Sequence, residues 1–139
     1  MGIKIITGGV TAAKGFQAAS AAAGIKYRDR QDMAMIYSQE PCKSAGTFTT
    51  NIVKAAPVKW DKNQVTSGAP AQAVVINAGI ANACTGEEGM GYCGQTAEAA
   101  ALALGIISSI HTRPRYPVFP LSILPVSYTH LTLPTTSRV

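Results

Sequence analysis

The residues of this chain best placed to do chemistry are the ten from Asn77 to Gly86, NAGIANACTG. An apolar run, Ala73–Asn77, leads into them and a helix-start signal leads out. Such a junction carries two amide side chains among small residues and exposes backbone N–H groups, so it can hold an anion or a carboxylate. The competing reading is that Asn77 and Asn82 only make Asx-type turns. The residues alone leave both readings open, and no substrate-binding residue is assigned.

Other constellations fail on spacing. Gly89-x-Gly91-x-x-Gly94 has the glycines of a dinucleotide fingerprint, but it lies well past the end of the strand. No acid follows Glu98 to bind a ribose, so these read as glycines in a poor helix start. Cys84, Cys93, His111 and His130 match no compact zinc pattern, and no metal or cofactor site is expected. With both histidines beyond Gly105, the first 105 residues have no His. That removes the common general base and any Cys–His nucleophile. Glu87 and Glu88 are adjacent, point apart on a helix, and read as ordinary acids facing the helix dipole. The three cysteines, an odd number without framework spacing, read as reduced thiols.

The elements that would position the junction follow from pattern. Ile3–Ile6 is a candidate short strand before the Gly8-Gly9 turn. Residues 11–23 have the alanine content of a helix, but Gly15 and Gly24 weaken it and it is left ambiguous. Met33–Tyr37 and Gly46–Thr50 read as strands. Pro57 and the polar stretch Trp60–Gly68 read as a surface loop. Ala73–Asn77, bounded by Pro70 and Gly79, reads as a buried strand. Thr85-Gly86-Glu87-Glu88 fits a capping box, opening a helix that runs to Leu104 and stops at Gly105. The mixture predicts an α/β or α+β class.

The 139 residues, 47% hydrophobic and 14% charged, suit one modest domain. No apolar run approaches the roughly 18 residues of a membrane span, and MGIKIITGGV lacks a secretory core. Myristoylation would want Ser or Thr at position 6, where Ile6 stands, so a cytoplasmic location is expected. The net charge of +5 divides unevenly. Residues 1–105 carry nine Lys/Arg against seven Asp/Glu, and the last 34 carry three Arg and no acid. A nucleic-acid partner therefore loses its support.

The sharpest boundary is Gly105/Ile106. All 13 glycines and every Ala, Lys, Asp, Glu, Asn, Gln, Met and Cys lie at or before it; five of the eight prolines and ten Ser/Thr follow it. Residues 1–105 form one unit on this reading, and 106–139 a tail that is either Pro/Ser/Thr-rich and disordered or non-native through a frameshift or joined fragment. PVSYTHLTLPTTSRV looks like translated adapter DNA. Prolines 114, 117, 120, 125 and 134 argue against a natural helix or strand there.

Four collinear stretches carry a resemblance: GGVTAAKGFQAA at 8–19, AGTFTTNIVKAAPV at 45–58, NAGIANACTGEEGM at 77–90 and TAEAAALALGI at 96–106. Together they resemble the N-terminal part of the glutamate N-acetyltransferase/ornithine acetyltransferase family of arginine biosynthesis. Ile80 stands where the family usually has Asn, Ile52 where it has Arg, and Gly91 and Gly94 where it has larger residues. These departures mark a divergent or error-bearing sequence without overturning the match.

The resemblance implies an α/β sandwich of the self-processing, amidohydrolase-like kind, incomplete in this chain. It implies a precursor that cuts itself before an internal Thr, giving two subunits that form a hetero-oligomer. The new terminal Thr would attack the acetyl group of N-acetylornithine, with an oxyanion hole, and pass it to glutamate. Some members also accept acetyl-CoA. The family's oxyanion-hole pair and nucleophile lie beyond the 96–106 helix, so no catalytic residue is assigned and the chain alone is expected to be inactive. The alternatives are a short non-enzymatic binding or regulatory chain, and a fragment of a P1-type aminopeptidase relative. A fragment with strands left partly uncovered is expected to be poorly soluble or only partly folded.

Overall fold

The computed structural model describes residues 3, 5–26, 28–106 and 121–125. Its strands are β1 (Phe16–Ala21), β2 (Met33–Cys42), β3 (Ala71–Asn77) and β4 (Leu121–Pro125), and its α-helices are α1 (Ala56–Ser67) and α2 (Gly86–Ala103). The strands form one sheet in the order β1-β2-β3-β4. β2 runs antiparallel to both β1 and β3, and β3 pairs in parallel with β4. An α/β architecture results, with the parallel pair joined through α2.

β3 sits inside the sheet, which explains its unbroken apolar run. Ala73 and Val75 are each 2% exposed, and they meet Trp60 and Ala56 of α1 and Cys93, Ala97, Ala100 and Ala101 of α2 in the core. β2 extends five residues past the predicted Tyr37. Its pairing with β3 shifts register between Tyr37 and Cys42, and Pro41, which has no N–H to donate, falls in that irregular stretch. Ser38, buried there, donates to the Glu40 carbonyl at 2.7 Å.

Several local expectations are corrected. The alanine-rich stretch 11–23, ambiguous in sequence, resolves as a 3-10 turn, Val10–Ala12, followed by β1. Gly15, at φ +83, turns the chain so that its carbonyl accepts from Gln39 N–H at 2.9 Å. Pairing with β2 then overrides alanine's helix preference. Ile3, Ile5 and Ile6 lie outside any strand and stay exposed. Gly46–Thr50 is irregular: Asn51 N–H is taken by Thr49 Oγ1 at 3.2 Å and Val53 N–H by Asn51 Oδ1 at 3.1 Å. Side-chain turns of this kind use donors that a ladder would need.

The predicted loop at Trp60–Gly68 is instead the body of α1. Pro57 sits in its first turn, where a missing N–H costs nothing; Gly68, at φ +71, closes it with N–H to the Val65 carbonyl. Its buried face is Ala56, Pro57, Trp60, Asp61 and Gln64. That spacing is helical, but two of the five residues are polar, so hydropathy hides the stripe. β4 lies in the stretch whose prolines argued against regular structure. It fits between Pro120 and Pro125 as a short strand with proline at its end, where a lost donor is tolerated.

Candidate functional site

The strand–helix junction is the richest polar feature among the described residues, and it is built from its flanks inward. Asn77 ends β3, opposite Met33 of β2. The next amide, Ala78 N–H, donates to the Asp32 carbonyl at 2.8 Å, extending the sheet contact by one residue. Gly79 then turns at φ +101. A Cβ there would stand 3.0 Å from the Cβ of Lys26, so only glycine fits that approach with that backbone. Ile80 is half exposed, and Cys84, exposed, takes φ +59.

Amide and hydroxyl groups inside the loop bond to its own backbone. Asn82 Nδ2 reaches the Ile80 carbonyl at 3.5 Å, at the outer limit of a hydrogen bond, and Thr85 Oγ1 donates to the Asn82 carbonyl at 3.2 Å. The predicted capping box does not form. Thr85 has helical dihedrals, φ −83 and ψ −1, and no side-chain bond caps α2. Its hydroxyl proton is committed to Asn82, and an N-cap needs an extended backbone at that position.

Glu87 and Glu88 occupy the first turn of α2, both exposed. Glu88 Oε1 accepts from the Tyr92 hydroxyl at 2.6 Å. That bond, with the carboxylate's charge, raises the Tyr92 pKa above 10.0, so the phenol stays a donor.

The C-terminal end of α2 matches expectation closely. Gly105 takes φ +65, its N–H bonds the Leu102 carbonyl at 3.1 Å, and Ile106 N–H bonds the Ala101 carbonyl at 2.9 Å. This pair of bonds is a Schellman stop, and Ile106 packs against the core beside it.

Two glycines of the apparent fingerprint, Gly89 and Gly94, are packing positions, while Gly91 faces open space. Gly89 is buried against Thr85 and Ala56, and a Cβ added at Gly94 would stand 3.7 Å from the Trp60 ring. They let α1 and α2 approach closely, and they lie within α2 instead of at a turn directly after a strand, where a phosphate-binding loop needs them. Cys84 is exposed while Cys93 is buried, so the two are not a ligand pair; His111 and His130 lie outside the described residues. Burial, with Asp61 nearby, pushes the Cys93 thiol up to about 11, which makes it a core residue and no nucleophile. Sequence reasoning missed Asp32. Its carboxylate, 4% exposed, accepts from Ala23 N–H at 2.7 Å and Ile25 N–H at 2.6 Å. A single acid before a strand gives no sign of this in sequence.

On the helix-facing side of β1 and β2, a trough of about 240 Å³ runs over Ala19, Ala21, Met33, Met35 and Val75. Its lining is apolar and offers nothing to orient a charged amino acid. No described helix is long and apolar enough to cross a membrane.

Comparisons with known proteins agree with this geometry. The ArgJ family model matches residues 17–113, from β1 through β2, α1, β3, the junction and α2 and past Gly105, ending before β4. The arginine biosynthesis bifunctional protein ArgJ of Gloeobacter violaceus is 49% identical over 100 residues, covering 72% of this chain and 25% of that protein. The Symbiobacterium thermophilum protein of the same name is 50% identical over 103 residues, covering 73% and 25%. The chain thus spans about a quarter of the length of the curated relatives it matches.

Among solved structures, a Bacillus halodurans ArgJ superposes with TM-score 0.71 at 31% identity, covering 90% of this chain and 61% of that one. A Mycobacterium tuberculosis ornithine acetyltransferase complexed with ornithine gives TM-score 0.71 at 42% identity, covering 84% and 58%. Fold, junction and helix stop coincide with a family match over most of the chain: the chain belongs to the ArgJ family.

Proposed function

We propose that this chain is the N-terminal part of an acetyltransferase of arginine biosynthesis that moves acetyl from N-acetylornithine to glutamate. The observation that carries the reading is the match over residues 17–113, joined to the likeness with an ornithine-bound acetyltransferase. The chain supplies the sheet, the α1–α2 layer and the Asn77–Gly86 junction. Among the described residues no thiol is set up as a nucleophile: Cys93 is buried, Cys84 is exposed, and the Cys42 sulfur lies 3.1 Å from Ser38 Oγ. On this reading the reacting Thr and its oxyanion hole belong to later residues of the parent.

Self-cleavage of the parent into two subunits has separate support. The chain covers 25% of a curated relative but 61% of a crystallised one, so the crystallised chain is much the shorter, as one product of a cut precursor would be. The parent then works as a hetero-oligomer of its two pieces, on small amino-acid substrates, in the cytoplasm, with no bound cofactor. No observation favours the aminopeptidase alternative.

Two assays test the reading. The purified 139-residue chain should give no turnover of N-acetylornithine with glutamate. A hybrid carrying residues 1–105 in place of the matching segment of the Mycobacterium tuberculosis enzyme should transfer acetyl. Activity in the isolated chain, or a folded but inactive hybrid, overturns it.

A further inference from the structure

Asp32 is a buried carboxylate that the proposed chemistry does not use. Among the described residues its partners are backbone groups: Oδ1 accepts from Ala23 N–H at 2.7 Å and Oδ2 from Ile25 N–H at 2.6 Å. Its own N–H donates to the Ala21 carbonyl at 3.2 Å, and its carbonyl accepts from Ala78 N–H at 2.8 Å. One residue therefore bonds the end of β1, the turn after it, and the exit of β3.

That turn is also in contact with the junction. A Cβ on Gly79 would meet Lys26 Cβ at 3.0 Å, Lys26 N at 3.8 Å and Ile25 Cγ2 at 3.9 Å. The wall against which the loop turns is thus the segment that the Asp32 carboxylate holds. Short charge-assisted bonds to two amides are stiff and directional, and at 4% exposure the Asp32 carboxylate has little water to exchange them for. We propose that Asp32 is a positioning residue for the Asn77–Gly86 loop, acting through the Ala23–Lys26 turn on Gly79. In the parent enzyme, by the proposed function on which this clause rests, that loop shapes the amino-acid substrate pocket.

Asp32→Asn tests this with little change in volume. Asparagine keeps one acceptor, but its NH2 would face an N–H donor, so one of the two bonds must break. In amide hydrogen exchange on the 139-residue chain, Ala23, Ile25 and the amides of 78–85 should exchange about tenfold faster, with Val74–Ile76 unchanged. Uniform acceleration, or acceleration confined to Ala23 and Ile25, overturns the proposal.

If Asp32→Asn does not fold, Gly79→Ala probes the same contact from the other side. It should loosen Ala23 and Ile25 as well as its own loop; protection retained at Ala23 and Ile25 overturns the coupling.

In the hybrid enzyme, Asp32→Asn should raise KM for the amino-acid substrate about tenfold with kcat little changed. Unchanged KM, or a fall in kcat alone, overturns the link to substrate. An unsubstituted hybrid that is itself inactive would sink the proposed function, while the exchange experiment would still decide the latch.

Discussion

Three glycines inside α2, Gly89, Gly91 and Gly94, give a prediction whose sign changes along one helix. In an isolated helix each Gly→Ala change is worth about 1 kcal/mol of stability. At Gly91 an added Cβ meets nothing within 4 Å, so Gly91→Ala should stabilise by about that amount. At Gly94 the Cβ would sit 3.7 Å and 3.8 Å from the Trp60 ring, which is ordinary contact, and the gain should be similar or slightly larger.

At Gly89 the same atom meets Thr85 and stands 2.9 Å from Ala56 Cβ. Neither neighbour is a flexible chain end, so α1 must move, at an overpacking cost of about 1–3 kcal/mol. The helix gain is then offset or exceeded, and Gly89→Ala should be neutral to destabilising by about 2 kcal/mol. Urea unfolding followed by helical circular dichroism resolves this, since about 1 kcal/mol moves the midpoint by about 0.5 M. A Gly89→Ala chain more stable than Gly91→Ala would refute the reasoning. It would mean that the glycines are not there to let two helices touch.

Three further outcomes follow from the same packing. Trp60→Ala removes the largest side chain of the α1–α2 layer at a cost of about 3–5 kcal/mol, comparable with the whole stability of a small domain; loss of a cooperative melt checks it. Gly105→Ala forces a side chain into φ +65 and should cost about 1 kcal/mol, read as a lower midpoint with the unfolding slope unchanged. Iodoacetamide at pH 8 should label the exposed Cys84 and spare Cys93, as peptide mass spectrometry would show. Because the folded Cys93 pKa is raised from 9.0 to about 11, the unfolded thiol ionises first. Stability should therefore fall as pH rises from 9 towards 11 and stay level below 9; the same fall in Cys93→Ala would refute that assignment.

What was legible in the sequence is what depends on a pattern of side chains within one element. Ala73–Asn77 reads as a buried strand because a central strand is apolar on both faces, and Gly105 reads as a helix stop because the left-handed position after α2 favours glycine. What was hidden depends on partners distant in sequence. α1 buries Asp61 and Gln64 beside Trp60, so its inward stripe is half polar. α2 buries Gly89, Cys93, Ala97 and Ala100, residues that hydropathy scarcely separates from its outer face. β1 is alanine-rich and becomes a strand only because β2 is there to pair with it.

The junction shows the same division. Its position between strand and helix could be read directly, and four of its ten residues, Asn77, Gly79, Asn82 and Gly86, are types that turns favour. Its shape could not, because that is fixed from outside: Asp32 lies 45 residues before Asn77 in the chain and reaches the loop through two backbone bonds and a turn. The capping box failed for a related reason. Thr85 has the right neighbours for one, but the loop arrives with Thr85 already helical and its hydroxyl turned back to Asn82. Local signals can say where a loop belongs; the contacts that set its conformation come from the sheet beneath it, and a substitution at Asp32 should therefore be felt at Gly79 before it is felt at Val75.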